Sequence, residues 1–209
     1  MAVALVAAFT LPTELVFALA AEHGPVETLQ ALLLFTLAAA CFPFRREEGV
    51  LTTGSMAFLL FAMGARELEW HKAWIGGNIL KPRFYLGPAA TPGTKLLAGV
   101  LVLLLAASAI YLVKRHLRET WNGLRRREPL AITAATFLVV LVLSRIADKS
   151  HFGHPLSPIV AGTLIVEEML ELALPLLVLL GAVKYNAARA EVPATQSLRE
   201  VEARTATGG

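Results

Sequence analysis

The sequence predicts an all-α integral membrane bundle of five or six transmembrane helices, and three observations lead there. Of 209 residues, 56% are hydrophobic and only 17% charged, and the mean hydropathy is +0.62, above the range of soluble domains. Apolar runs near membrane-crossing length recur along most of the chain, where a soluble protein of this size would carry one core under a polar shell. None of these runs alternates apolar with polar residues as a barrel with a polar lumen requires. Lipid offers no partner for free backbone groups, so helices remain.

Taken in order, the first stretch, Met1 to Ala21, has the length and apolarity of a span but contains Pro12 and Glu14. Ala18-Leu19-Ala20 offers a small-residue cleavage site, yet no basic residue leads the stretch and Glu14 interrupts it, so a sixth helix is favoured over a signal-like segment. Five further spans follow at Val26 to Phe44, Val50 to Arg66, Leu96 to Val113, Pro129 to Ala147 and Val160 to Val183. Each is about the length that crosses ~30 Å of hydrocarbon. Pro129 suits the first turn of its helix, where the missing N–H costs nothing. Residues 186–209 are polar, rich in Ala, Thr, Glu and Arg, and lack an apolar stripe, which predicts a partly disordered tail after a bundle over residues 1–185.

The net charge of +3 does not point to nucleic acid, because the basic residues sit in short segments between apolar runs, where they set topology. Lys114, Arg115, Arg118, Arg125, Arg126 and Arg127 form the most basic loop and are expected on the cytoplasmic side of a bacterial inner membrane. Arg45, Arg46, Lys184 and Arg189 fall on the same side by alternation, which leaves the tail cytoplasmic. The single cysteine, Cys41, lies in an apolar run, cannot form an intrachain disulfide and is read as a packing residue.

Sorting the ionisable residues by side gives a lopsided result: nearly all lie toward the outer face. Glu22, His23 and Glu27 open the first firm span, and Glu67, Glu69 and His71 close the second. Asp148, His151 and His154 follow the fourth, and Glu167, Glu168 and Glu171 lie in the fifth. Glu171 is about 12 residues into its span, roughly 18 Å at 1.5 Å per residue. A charge at that depth costs at least ~2.5 kcal/mol, which calls for protonation, ionic pairing or a bound cation.

Helical spacing sharpens the candidates. Glu67 and His71 are four apart, Glu167 and Glu171 four apart, and Glu168 and Glu171 three apart, so each pair can share a helix face. Helical bundles build carboxylate metal sites from such pairs on facing helices. Carboxylates alone suit calcium, magnesium or manganese, and added histidine favours zinc or iron. Arg66, Lys72, Arg145 and Lys149 share the same region and open the alternative of a buried Arg–Glu network. Trp70, Trp74, Phe84 and Tyr85 surround the loop from His71 to Thr94, where amphipathic rings anchor at headgroup level.

The motifs Glu22-His23-Gly24-Pro25-Val26-Glu27, Arg66-Glu67-Leu68-Glu69-Trp70 and Glu167-Glu168-Met169-Leu170-Glu171 resemble a spaced pattern in small bacterial multi-pass membrane proteins. That resemblance implies a five- or six-helix bundle and supplies no activity. A looser similarity is to alkaline ceramidase-like intramembrane hydrolases, which implies zinc held by an Asp and several His. Those enzymes place a histidine pair four apart in a late helix, where this chain has Glu167, Glu168 and Glu171, so the likeness breaks at the zinc ligands.

The leading functional expectation is an intramembrane, metal-dependent hydrolase acting on a lipid or other amphiphile at the outer side of the bilayer. In that scheme Glu67, His71, Glu168 and Glu171 ligate a divalent metal such as zinc, iron, calcium or magnesium. Glu27 or Asp148 moves protons, and Arg66 or Arg145 holds an anionic headgroup. Two rivals use the same residues: a proton or cation transporter, and a structural or accessory subunit whose charges pair internally.

Overall fold

The computed structural model describes residues 24–79, 81–88, 90–148 and 166–187, the side chains of His71, Ala147 and Asp148 excepted. The described residues are helical with no strand, and three helices are long and apolar enough to cross a membrane: Pro25–Glu48, Pro92–Arg125 and Pro129–Ile146. The expectations for residues 1–21, for the tail from 188 onward, and for Glu22, His23, Lys149, His151 and His154 lie outside the described residues.

Helix α1 spans Pro25–Ala40. It stops where Pro43 removes a backbone donor, and the chain tightens into a 3₁₀ turn at Phe42–Phe44 before the short α2, Arg45–Glu48. Gly49, at φ 87, makes the sharp reversal into α3, Val50–Glu67. The segment expected as a plain loop instead holds two short helices, α4 at Trp70–Ile75 and α5 at Pro82–Leu86.

Helix α6, Pro92–Arg125, is 34 residues long and overruns the predicted Leu96 to Val113 at both ends. Thr91 caps its start by accepting the Thr94 N–H, with Pro92 in the first turn. At the other end Lys114 to Arg118 are good helix formers, so the basic segment read as a loop simply continues the helix. A turn through Arg127, at φ 59, leads into α7, Pro129–Asp148. The last described helix, α8, covers 166–187.

Polar and small groups are buried beside a few leucines, and many large apolar side chains face outward, as helices in lipid require. Leu103, Val139 and Val142 are 70%, 57% and 58% exposed, whereas Gln30, Thr52, Thr53, Ser55, Thr133 and Ser144 are buried. Helices α1 and α3 pack most closely. A Cβ on Gly64 would sit 2.9 Å from the Phe35 ring and 3.2 Å from the Ala31 carbonyl, so the missing side chain is what lets them approach. Leu34, Leu37, Ala38 and Leu60 form the core there, with Cys41, Met63 and Val178 of α8 packed against it. Cys41 thus packs as expected, its Sγ 3.3 Å from the Leu37 carbonyl.

Helix α8 ties the bundle together. It runs antiparallel to α7: Glu171 meets Ser144 and Arg145 at one end, and the Lys184 Nζ donates to Thr133 Oγ1 at 2.9 Å at the other. Beside Lys184, the Tyr185 hydroxyl donates to Glu48 of α2. Helix α3 meets α6 through a 3.1 Å hydrogen bond between Thr52 and Tyr111.

Candidate functional site

The candidate site lies where α3 ends, α7 ends and α8 begins. Arg66 and Glu67 occupy the last turn of α3, and Ser144 and Arg145 the last turns of α7. Glu171 faces them from α8. One atom, Glu171 Oε1, receives three donors: Arg66 Nη2 at 2.9 Å, Arg145 Nη2 at 3.1 Å and Ser144 Oγ at 3.1 Å. Guanidinium–carboxylate hydrogen bonds are the strong class, and the Arg66 contact falls within their usual length.

Arg66 does double duty. Its Nη2 also lies 3.1 Å from Glu67 Oε1, so one guanidinium nitrogen sits between carboxylates of two helices. The acids are deep and the bases are not: the Glu67 and Glu171 side chains are 8% and 10% exposed, those of Arg66 and Arg145 38% and 39%. Each arginine brings its guanidinium onto the buried acid while more than a third of its side chain stays exposed. Ser144 is wholly buried.

Two further acids belong to the neighbourhood. Glu27, in the first turn of α1, and Glu168 lie close enough to Glu67 to interact with it electrostatically, and Glu168 feels Glu171 and Glu167 as well. Of the residues singled out in the sequence, the fold therefore gathers Glu27, Arg66, Glu67, Arg145, Glu168 and Glu171 at one end of the bundle. His71 is placed within α4 and Asp148 ends α7, but the side chains of both lie outside the described residues. Glu69 stands apart and pairs with Lys72 on its own turn.

Chemically, the arrangement is one carboxylate oxygen met by two guanidiniums and a hydroxyl. A metal ion bound by Glu67 and Glu171 would have to displace the Arg66 nitrogen that now stands between them. Among the described residues no three acidic, histidine or cysteine side chains are grouped so as to hold a metal ion.

Sequence reasoning missed Ser144, a hydroxyl beside Arg145 in an otherwise apolar run. Polarity within a span was the available signal, and its depth and direction come only from the packing of α7 on α8. Lys184 was read only as a topology marker, yet it reaches the buried Thr133. No family model, curated protein or solved structure matches the chain.

Proposed function

We propose that this chain is a multi-pass protein of the bacterial inner membrane, with five or six spans, that serves as a structural or accessory membrane subunit. Its charged centre sets the register of the helices. The observation that carries the reading is the convergence of Arg66, Arg145 and Ser144 on one oxygen of Glu171. Buried ionic groups contribute little net stability compared with an apolar replacement, and their best-attested use is to select one packing among several. Sliding α8 by one turn along α7 would move Glu171 about 5.4 Å and take it out of reach of both guanidiniums.

A second reading, proton or cation handling, is favoured by a separate observation. Gln30 stands one turn along α1 from Glu27, is 2% exposed, and its Oε1 has no hydrogen-bond partner among the described residues. A polar interior next to clustered acids is what a proton or cation path uses.

Three measurements on the purified full-length protein separate these readings and the metal-dependent hydrolase. A structural node predicts that Glu171→Gln loses stability, that proteoliposomes show no proton or cation flux, and that elemental analysis finds no stoichiometric metal. Flux abolished by Glu171→Gln replaces the structural reading with the transporter. Stoichiometric metal that disappears in Glu168→Ala replaces it with the hydrolase.

A further inference from the structure

The overrun of α6 has a geometric meaning. A helix needs about 20 residues to cross the hydrocarbon, and α6 has 34. Two contacts fix its path. Tyr111 bonds Thr52, in the first turn of α3, and Gly123 lies against Glu128 and Ala131, at the start of α7. Those two helix starts sit at the same end of the bundle, because adjacent residues of α8 hold both: Lys184 reaches Pro129 and Thr133, and Tyr185 reaches Glu48.

Tyr111 and Gly123, twelve residues apart, are separated by about 18 Å along the helix axis. Their partners nevertheless lie at one level. The stretch between them therefore crosses that end of the bundle obliquely instead of projecting straight out of it.

The crossing stretch carries a defined face. Lys114, Leu117, Arg118 and Trp121, spaced at three, four and seven residues, line a shallow groove of about 440 Å³. Leu117 is 60% and Trp121 54% exposed. The guanidinium of Arg125 stacks 5.3 Å above the Trp121 ring. Between Lys114 and Glu128 the sequence holds six Lys and Arg against two Glu. An exposed indole and leucine flanked by cations, on a helix lying across the end of a membrane bundle, match the chemistry of a leaflet surface, with phosphate outside and glycerol and acyl carbon beneath.

We propose that this face of α6 is a binding site for the headgroup of an anionic phospholipid in the leaflet at that end. Lys114 and Arg118 hold the phosphate, and Leu117 and Trp121 lie against the glycerol backbone and upper acyl carbons. The site is independent of the Glu171 centre, which lies at the opposite end of α7 and α8.

Native mass spectrometry of the full chain, released from detergent with either phosphatidylglycerol or phosphatidylcholine, tests it. Phosphatidylglycerol is expected to stay bound in preference and to be lost as salt is raised. At ~1 kcal/mol per basic residue, Lys114→Gln combined with Arg118→Gln lowers retention roughly 10- to 30-fold. Arg126→Gln combined with Arg127→Gln, an equal loss of charge off the groove, leaves it within about twofold.

Equal retention of the two lipids in the wild-type protein overturns the proposal without recourse to any variant. So does an equal loss in both double variants, which reduces the effect to overall charge. Displacement of the lipid by inorganic phosphate at matched concentration also overturns it, since the groove would then be a free-phosphate site.

Discussion

Arg66 and Glu171 are 105 residues apart in sequence and 2.9 Å apart in space. That single contact joins the end of α3 to the beginning of α8, and Arg145 brings α7 to the same oxygen. Removing the acid takes away the acceptor that both guanidiniums share and leaves Arg66 to Glu67.

Glu171→Ala is therefore expected to destabilise the protein. Stranding the partner of a buried pair costs about 3–5 kcal/mol, and screening of guanidiniums that are more than a third exposed reduces this to roughly 1–3 kcal/mol. Reversible unfolding in mixed micelles measures it. Replacing the whole network together, with Arg66→Met, Arg145→Met, Glu67→Leu and Glu171→Leu, recovers most of the loss. A single Glu171→Ala variant as stable as the parent removes the node from the account of this fold.

The two glycines of α3 make a paired prediction. At Gly64 an added methyl meets Phe35 and the Ala31 carbonyl, and at Gly54 it meets nothing within 4 Å. Gly64→Leu forces α1 away from α3 and costs about 1–3 kcal/mol or more from overpacking. Gly54→Ala gains up to ~1 kcal/mol of helix propensity. Thermal unfolding of the two variants should shift in opposite directions.

Thr52 and Tyr111 offer a coupling that can be measured cleanly. A double-mutant cycle through Thr52→Val and Tyr111→Phe is expected to give about 0.6 kcal/mol, the usual scale for an interhelical hydrogen bond in a membrane protein. A coupling near zero would mean that α6 does not hold α3 through this bond. The oblique path of α6 would then lose one of its two fixed points.

Alkaline pH should act on the opposite end of α8 from Glu171. The Tyr185 phenol is pushed up to about 12, first by the hydrogen bond it donates to Glu48, then by burial and by the Glu48 charge. A group whose folded pKa lies above its unfolded value stabilises fully below the unfolded value and loses that contribution as pH rises through the folded one. Stability should therefore fall between about pH 10 and pH 12. The part of that fall due to Tyr185 should vanish in Tyr185→Phe, as followed by unfolding at a series of pH values.

The helical segments were legible because apolar run length is a direct record of what lipid demands of a backbone. The overrun of α6 was not, since Lys114, Arg115 and Arg118 look like a topogenic loop and are equally content in a helix. The short helices α4 and α5 were hidden for a related reason: six and five residues are too few to show a period. In the site, Arg66, Arg145 and Glu171 announced themselves as ionisable groups inside or beside spans. Which acid would meet which base depends on the rotation of each helix about its axis, and one chain read alone does not carry that. The same ambiguity leaves Glu67 and Glu171, which in the fold share the Arg66 nitrogen, compatible in sequence with either a metal pair or an ion-pair network.

The tryptophans divide between the two ends of the molecule. Trp70 and Trp74 stack at 5.3 Å with an interplanar angle of 20°, and Phe35 also stacks with Trp70. Trp121, the third and last in the sequence, stands alone on α6 under Arg125. Two indoles this close couple their transitions, so the α3–α4 junction carries a circular-dichroism couplet in the near ultraviolet that a lone indole cannot produce. Emission from Trp121 in a Trp70→Phe, Trp74→Phe background reads the basic end by itself. The protein thus contains two separate optical gauges, one at the α3–α4 junction and one on the basic end of α6, with which loosening at either face of the bundle can be followed without a label.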